Sequence, residues 1–315
     1  MNNSGATFRI KCDRMYLFGG SVMNKYILSC GSTVDLTLEH LNERNIDWLP
    51  FLYYIDDVEY EDDFGKTIKY DEFYKKIKNG AITRTSQITE MKFVESYKKY
   101  FEQGLDVVCV CLSSGISGTH NSAMLAKQEL EVLYPERKMY VVDSLAASSG
   151  YGLFMDMLAD YRDEGYSAEE LVNKAEEIKL SIQHLFFSTD FTCYVRGGRV
   201  SKTMGIIGTI LKICPILHVD KKGKLVSYKK VRTKKKAIIQ IVDEMFELVN
   251  GDSLYNKKCY ISHSACKEDA LEIAKEVEKR FPNLKGKVKI YSIGTIIGSH
   301  SGPGTCALFF VGNDR

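Results

Sequence analysis

Residues 113–123 read SSGISGTHNSA. The hydroxyls of Ser113, Ser114, Ser117 and Thr119 share this turn with Gly115, Gly118 and His120. Three chemistries suit such residues: nucleophilic attack by Ser117, a glycine-lined phosphate cradle, or a hydroxyl cage for a carboxylate. The nucleophile elbow of hydrolases is G-x-S-x-G, and Gly115-Ile116-Ser117-Gly118 is one spacer short of it. A triad also needs a base and an acid, and His120 lies at the start of the next helix. No lysine follows in the manner of a Walker loop, and no G-x-G-x-x-G is present. What remains is a helix N-terminus rich in N–H and O–H donors, which favours an anion, or a capped turn with no ligand.

Other segments carry similar chemistry. TRTSQIT (83–89) is read as a second hydroxyl-rich turn, in which Ser86 or Thr89 caps the helix that begins at Glu90. GSHSGPGT (298–305) sets His300 among glycines, where backbone can approach a ligand closely. YVRGGRVSK (194–202) places Arg196 and Arg199 about a Gly-Gly pair, suited to a carboxylate or phosphate or to plain solvation. KKVRTKKK (229–236) is a solvated basic face or a dock for an acidic partner.

The elements that position these turns follow from periodicity. LDVVCVCL (105–112) is continuously apolar, as a strand buried on both faces must be. KYILSC, WLPFLYYI and KMYVVDS are further strands, separated by helical stretches such as EMKFVESYKKYFEQG and a helix from Asp35 through LTLEHLNER. Alternation of strand and helix predicts a parallel sheet, with 113–123 at the carboxyl end of a strand, where open sheets bind ligands. After Gly165 the texture changes. A capping box at Ser167 and Glu170 opens a helix, a helix is expected over SKTMGIIGTILKI, and PILHVDKKGKLVSYKKVRT reads as a hairpin. KKKAIIQIVDEMFELVN is an amphipathic helix with Ile238, Ile241, Val242, Met245 and Val249 inward. The prediction is an α/β N-terminal domain with a parallel sheet (24–165) and an α+β C-terminal domain (166–315). Residues 1–23 form an extension that is either disordered or vector-derived.

Composition narrows the class. In 315 residues, 43 Lys+Arg stand against 41 Asp+Glu, so charge offers no argument for a nucleic-acid partner. No apolar run reaches membrane-span length, since Lys212 and Pro215 interrupt IIGTILKICPIL. The N-terminus lacks the apolar centre of a secretory signal. The nine cysteines are scattered and unpaired in pattern, which suits reduced thiols in a cytoplasmic protein, with no metal site expected.

Taken in order, SSGISGTHNSA, TSQIT, VVDSLAASSGYG, YVRGGRVSK, GTILKICPILHVDKKGKLVSYKKVRTKKKA and GSHSGPGTCALFFVG resemble the DegV family of bacterial fatty acid-binding proteins. The resemblance implies a two-domain protein, related in fold to part of the dihydroxyacetone kinase group, with a long-chain fatty acid of the palmitate or oleate class in a tunnel between the domains. It implies no cofactor and no catalysis by this chain. A separate ATP-dependent fatty acid kinase would phosphorylate the carboxylate for phospholipid synthesis. By the same resemblance Thr85, Ser117 and His300 would hold the carboxylate, with Ser86, Ser114, Gly118 and Thr119 as further ligand-site candidates. Arg199, with Arg196, would be a surface contact for the kinase. The alternatives are a serine hydrolase or acyltransferase using Ser117, and a polyol-phosphate binder. One departure stands out: the family's DSTADL-like motif reads Gly31-Ser32-Thr33-Val34-Asp35-Leu36, with glycine in place of the first acid and Asp35 expected to cap the next helix. The tunnel wall is expected over Met204–Leu217, which reads equally well as plain core. Burial of an acyl chain gives roughly 0.8 kcal/mol per CH₂, so about sixteen carbons supply on the order of 10 kcal/mol before ordering costs.

Overall fold

The computed structural model describes residues 26–201 and 213–315. Strand β1 (Tyr26–Gly31) leads through α1 (Leu38–Glu43) to β2 (Asp47–Leu49). A hairpin, β3 (Leu52–Ile55) and β4 (Val58–Glu61), is followed by α2 (Tyr70–Lys78) and β5 (Thr83–Ser86). Next come α3 (Glu90–Glu102), β6 (Asp106–Cys111), α4 (Thr119–Leu133), β7 (Met139–Asp143), α5 (Ser148–Asp163) and α6 (Ala168–Ile178). The second half runs β8 (Ile182–Ser188), α7 (Thr192–Arg196), β9 (Cys214–Val219), β10 (Leu225–Val231) and α8 (Lys234–Leu248). It ends with β11 (Cys259–His263), α9 (Lys267–Arg280), β12 (Lys289–Ser292), α10 (Thr295–Ser301) and β13 (Thr305–Val311).

The first sheet is parallel throughout, in the order β2-β1-β6-β7. A small antiparallel sheet, β4-β3-β5, stands beside it. The third sheet is mixed, in the order β10-β9-β8-β13-β11-β12, with β11 and β12 parallel and the other pairs antiparallel. The mixed α/β class with a parallel sheet and a separate mixed sheet is as predicted. Helix α5 is buried along nearly its whole length and packs on β8, β11 and β13 of the third sheet. A helix buried on nearly every side needs partners all round, polar ones included, and its buried Asp156 accepts from Lys258 and Tyr260. On the other face of that sheet α8 and α9 cover Cys306, Leu308 and Phe310, so β13 is buried on both faces. Helix α6, opened by the Ser167–Glu170 capping box, packs against β6 and β7.

Four local expectations are corrected. WLPFLYYI is not one strand: Pro50 lies between β2 of the parallel sheet and β3 of the small sheet. TRTSQIT is not wholly a turn, because Thr83–Ser86 pairs antiparallel with β3. IIGSHSGPGT (296–305), which reads as a turn region from its glycines, instead contains most of a helix, α10. Helix α1 starts at Leu38 with Thr37 as its cap, the Thr37 hydroxyl accepting from the His40 N–H, so Asp35 caps nothing. The helix expected over SKTMGIIGTILKI and the start of the proposed tunnel wall lie outside the described residues. Cys214–Leu217 begins β9.

Candidate functional site

A cavity of about 200 Å³ lies where the small sheet, the β6–α4 turn, α10 and the third sheet meet. A single water occupies roughly 10–15 Å³ by this kind of measure, so the space is that of an organic ligand. Most of its wall is apolar: Phe51, Ile116, Ile293, Ile296, Phe186 and Phe309 among others. Strand alternation explains the choice of residues. On β13, Thr305, Ala307 and Phe309 face the cavity while Cys306, Leu308 and Phe310 face the other core.

Polar residues reach the cavity from several elements. On β5, Thr83 and Thr85 share a face against α10: the Thr83 hydroxyl donates to the Ser299 carbonyl, 3.3 Å, and Thr85 Oγ1 lies 2.8 Å from His300 Nε2. Arg84 points the other way, to Asp57, and by alternation Ser86 falls on that side, away from the cavity lining. Ser117 lines the cavity from the β6–α4 turn, with its Oγ 2.9 Å from Thr119 Oγ1 and accepting from the Thr119 N–H at 3.3 Å. Thr119 is buried behind it and Gly118 lines the cavity. Ser114 is exposed and turned outward, its N–H donating to Asp143. So Thr85, Ser117, His300 and Gly118 come together, Thr119 holds Ser117, and Ser86 and Ser114 stand apart.

His300 is buried, and burial together with the guanidinium charges of Arg199 and Arg196 pushes its pKa down to about 4. It is therefore a neutral imidazole near pH 7. Among the described residues its buried Nδ1 has no hydrogen-bond partner. Gly197 makes room for the ring: a Cβ at 197 would sit 2.2 Å from Nδ1. Arg199, expected at the surface, is instead half-buried and lines the cavity, donating to the Ile116 carbonyl at 3.2 Å and to the Gly197 carbonyl at 2.5 Å. Arg196 is exposed. Near the apolar walls, His184 accepts from the Ala147 N–H at Nε2 and donates from Nδ1 to the Ile182 carbonyl, and burial keeps it neutral.

Several lining residues escaped the sequence reading. Gln87 follows Thr85 and Ser86, and Tyr194, Ser301 and Thr305 stand close in sequence to the arginines and His300. Their alternation with neighbours was the available signal, and it needed the strand and helix assignments just corrected. An acid at position 31 would need the Phe51 ring to move, since a Cβ there would lie 2.6 Å from it. Two buried acids support the site instead. Asp35, at φ 45°, accepts from the Gly294 N–H at 2.8 Å and from the Ser148 hydroxyl. Asp62 accepts from the Thr295 hydroxyl at 2.8 Å. Both grip the start of α10, the helix that carries His300.

The hydrolase reading finds no support in this geometry. The hydrogen-bond partners of Ser117 Oγ among the described residues are Thr119 atoms, and the imidazole nearest the site is engaged by Thr85.

Fold and site together define a mixed α/β protein with a parallel sheet, a separate mixed sheet and a mostly apolar cavity lined by several hydroxyls. The family model described as "Uncharacterised protein, DegV family" matches residues 30–313, and the chain belongs to that family. It is 33% identical over 294 residues to a DegV domain-containing protein of Clostridium perfringens, covering 93% of this chain and 99% of that protein. It is 32% identical to a fatty acid-binding protein of Thermotoga maritima, over 87% of this chain and 93% of the other. Among solved structures it is similar to DegV of Bacillus subtilis, described as a fatty acid binding protein, with a TM-score of 0.77 and 27% identity, covering 93% of this chain and all of that one.

Proposed function

We propose that this chain binds a long-chain fatty acid in the cavity, with the carboxylate at Thr85, Ser117 and His300. The observation that carries the reading is a mostly apolar cavity that Thr85, Ser117 and His300 all line. A carboxylate only accepts hydrogen bonds, so each hydroxyl must turn its proton to it. For Thr85 this requires His300 to donate from Nε2, which leaves the Thr85 O–H for the ligand. For Ser117 it requires Thr119 to donate, which the 2.9 Å contact permits. The guanidinium of Arg199 supplies the charge that a buried carboxylate otherwise lacks.

In this reading the chain performs no chemistry and presents the head group to a separate ATP-dependent kinase, with exposed Arg196 as a docking contact. The relatives named as fatty acid-binding proteins and the family resemblance support it. Native mass spectrometry of the purified protein tests it directly. A co-purifying acyl ligand, or one bound on titration, is expected. Absence of both overturns the reading. Phosphorylation of bound fatty acid on adding a purified fatty acid kinase and ATP tests the partner role.

A further inference from the structure

A pair of thiols lies outside the lining of the cavity. Cys266 caps the start of α9, and Cys306 is the second residue of β13. Their Sγ atoms are 3.5 Å apart. Backbone contacts hold the two segments together: Ser264 N–H to the Thr305 carbonyl at 2.9 Å, Gly304 N–H to the Ser264 carbonyl at 2.8 Å, and Thr305 N–H to Ser264 Oγ at 2.8 Å. We propose that Cys266 and Cys306 are an oxidant-sensitive dithiol, in which a hydroperoxide oxidises Cys266 and Cys306 closes a disulfide onto it.

Exposure assigns the roles. Cys266 is half-buried and within reach of a small oxidant, whereas Cys306 is fully buried. The positive end of α9 favours a thiolate at Cys266, as does the Lys234 ammonium nearby. Donation from the Cys306 thiol lowers the Cys266 pKa further, while burial and the adjacent sulfur raise that of Cys306. In the first step the Cys266 thiolate attacks the hydroperoxide; its O–O bond breaks, an S–O bond forms, and the alkoxide or hydroxide leaves to take up a proton. In the second step the Cys306 sulfur attacks the sulfenic acid. The S–O bond breaks, an S–S bond forms, and water departs with the Cys306 proton. Two electrons pass from the sulfurs to the peroxide.

Two comparisons sharpen the assignment. Cys109 and Cys111 also lie close, 3.8 Å between sulfurs, but both are fully buried within β6 and inaccessible. Asp269 completes a Cys266–Asp269–Cys306 group of metal-ligand type. Lys234 lies within 2.8 Å of both its carboxylate oxygens, and that fixed cation opposes a second one. The disulfide would fasten α9 to the residue after Thr305, which lines the cavity.

The test is thiol mapping on the folded, full-length protein. It is treated with hydrogen peroxide, alkylated, digested without reductant and analysed by mass spectrometry. A Cys266–Cys306 cross-linked peptide that dithiothreitol removes is expected. Before oxidation Cys266 alkylates on the order of tenfold faster than the other described cysteines. Cys306→Ser gives a sulfenic acid at Cys266 that dimedone traps, and Cys266→Ser gives no cross-link. Oxidation of Cys266 with no cross-link in the wild type, or no faster alkylation of Cys266, overturns the proposal. If Cys306→Ser does not fold, the wild-type cross-link map decides alone.

Discussion

Thr85 and His300 are 215 residues apart in the chain, and their side chains meet at 2.8 Å. One comes from a short polar strand and the other from a seven-residue helix, and both are held there by neighbours. The Thr83–Ser299 bond keeps β5 on α10, and Asp35 and Asp62 hold the start of α10.

Replacing Thr85 by valine keeps the shape and removes the donor. A hydrogen bond to a charged group is worth about 1.5–3 kcal/mol. Fatty acid affinity is therefore expected to fall roughly ten- to a hundredfold. Displacement of a fluorescent fatty acid measures this, and an unchanged affinity would remove Thr85 from the head-group site.

Gly197→Ala tests the packing around the imidazole. Its backbone is helical, so the substitution strains nothing in φ; the added methyl meets His300 Nδ1 instead. Overpacking of this kind costs about 1–3 kcal/mol. A lowered Tm together with a shifted His300 imidazole resonance is expected. A Tm at the wild-type value would mean that the ring or the turn yields freely.

Stability should fall as pH rises across the neutral range, through two buried acids. Burial, above all, pushes Asp35 up to about 8 and Asp62 up to about 6. An unfolded aspartate titrates near about 4, so the folded chain binds these protons more tightly. Their contribution is fully present below about pH 4, is lost for Asp62 as pH passes about 6, and is lost for Asp35 as it passes about 8. Asparagine tolerates the left-handed backbone of residue 35. Asp35→Asn is thus expected to flatten the decline between about pH 6 and 8. Urea unfolding at a series of pH values reads it; an unaltered slope would assign the effect elsewhere.

Asp156 ties the two halves together and should be costly to remove. From α5 it accepts from Lys258 Nζ at 2.6 Å and from the Tyr260 hydroxyl at 2.5 Å, next to and on β11. His40 Nε2 and Arg44 Nε lie 3.2 and 3.1 Å from its other oxygen. Burial alone would raise its pKa, but nearby His40 and the hydrogen bonds from Lys258 and Tyr260 hold it well below the usual carboxylate range. Asp156→Ala strands these donors and is expected to cost about 3–5 kcal/mol. Calorimetry or urea titration measures it, and a loss under about 1 kcal/mol would contradict the ion network.

Much of the scaffold was legible in the chain. The continuous apolar run of β6, the Ser167–Glu170 box and the inward stripe of α8 each carry a local signal that outweighs its surroundings. The site motifs were legible as well, through the resemblance of the hydroxyl-rich turn, TSQ and GSHSG. The misread elements share a cause. Thr83–Ser86 has no strand composition of its own and is a strand because β3 pairs with it. Residues 295–301, TIIGSHS, include a glycine and three hydroxyl residues that favour helix poorly, and they are helical against α7, β5 and β3, with buried acids at their start. Asp35 read as a cap from its neighbours in sequence, yet its partners are Ser148 and Gly294. Residue types by themselves determined the strands of continuous apolar sequence, the main helices and the donors available to a ligand. Which donors converge was decided by tertiary structure alone, because short polar segments have too little local free energy to choose a conformation and take it from whatever packs against them.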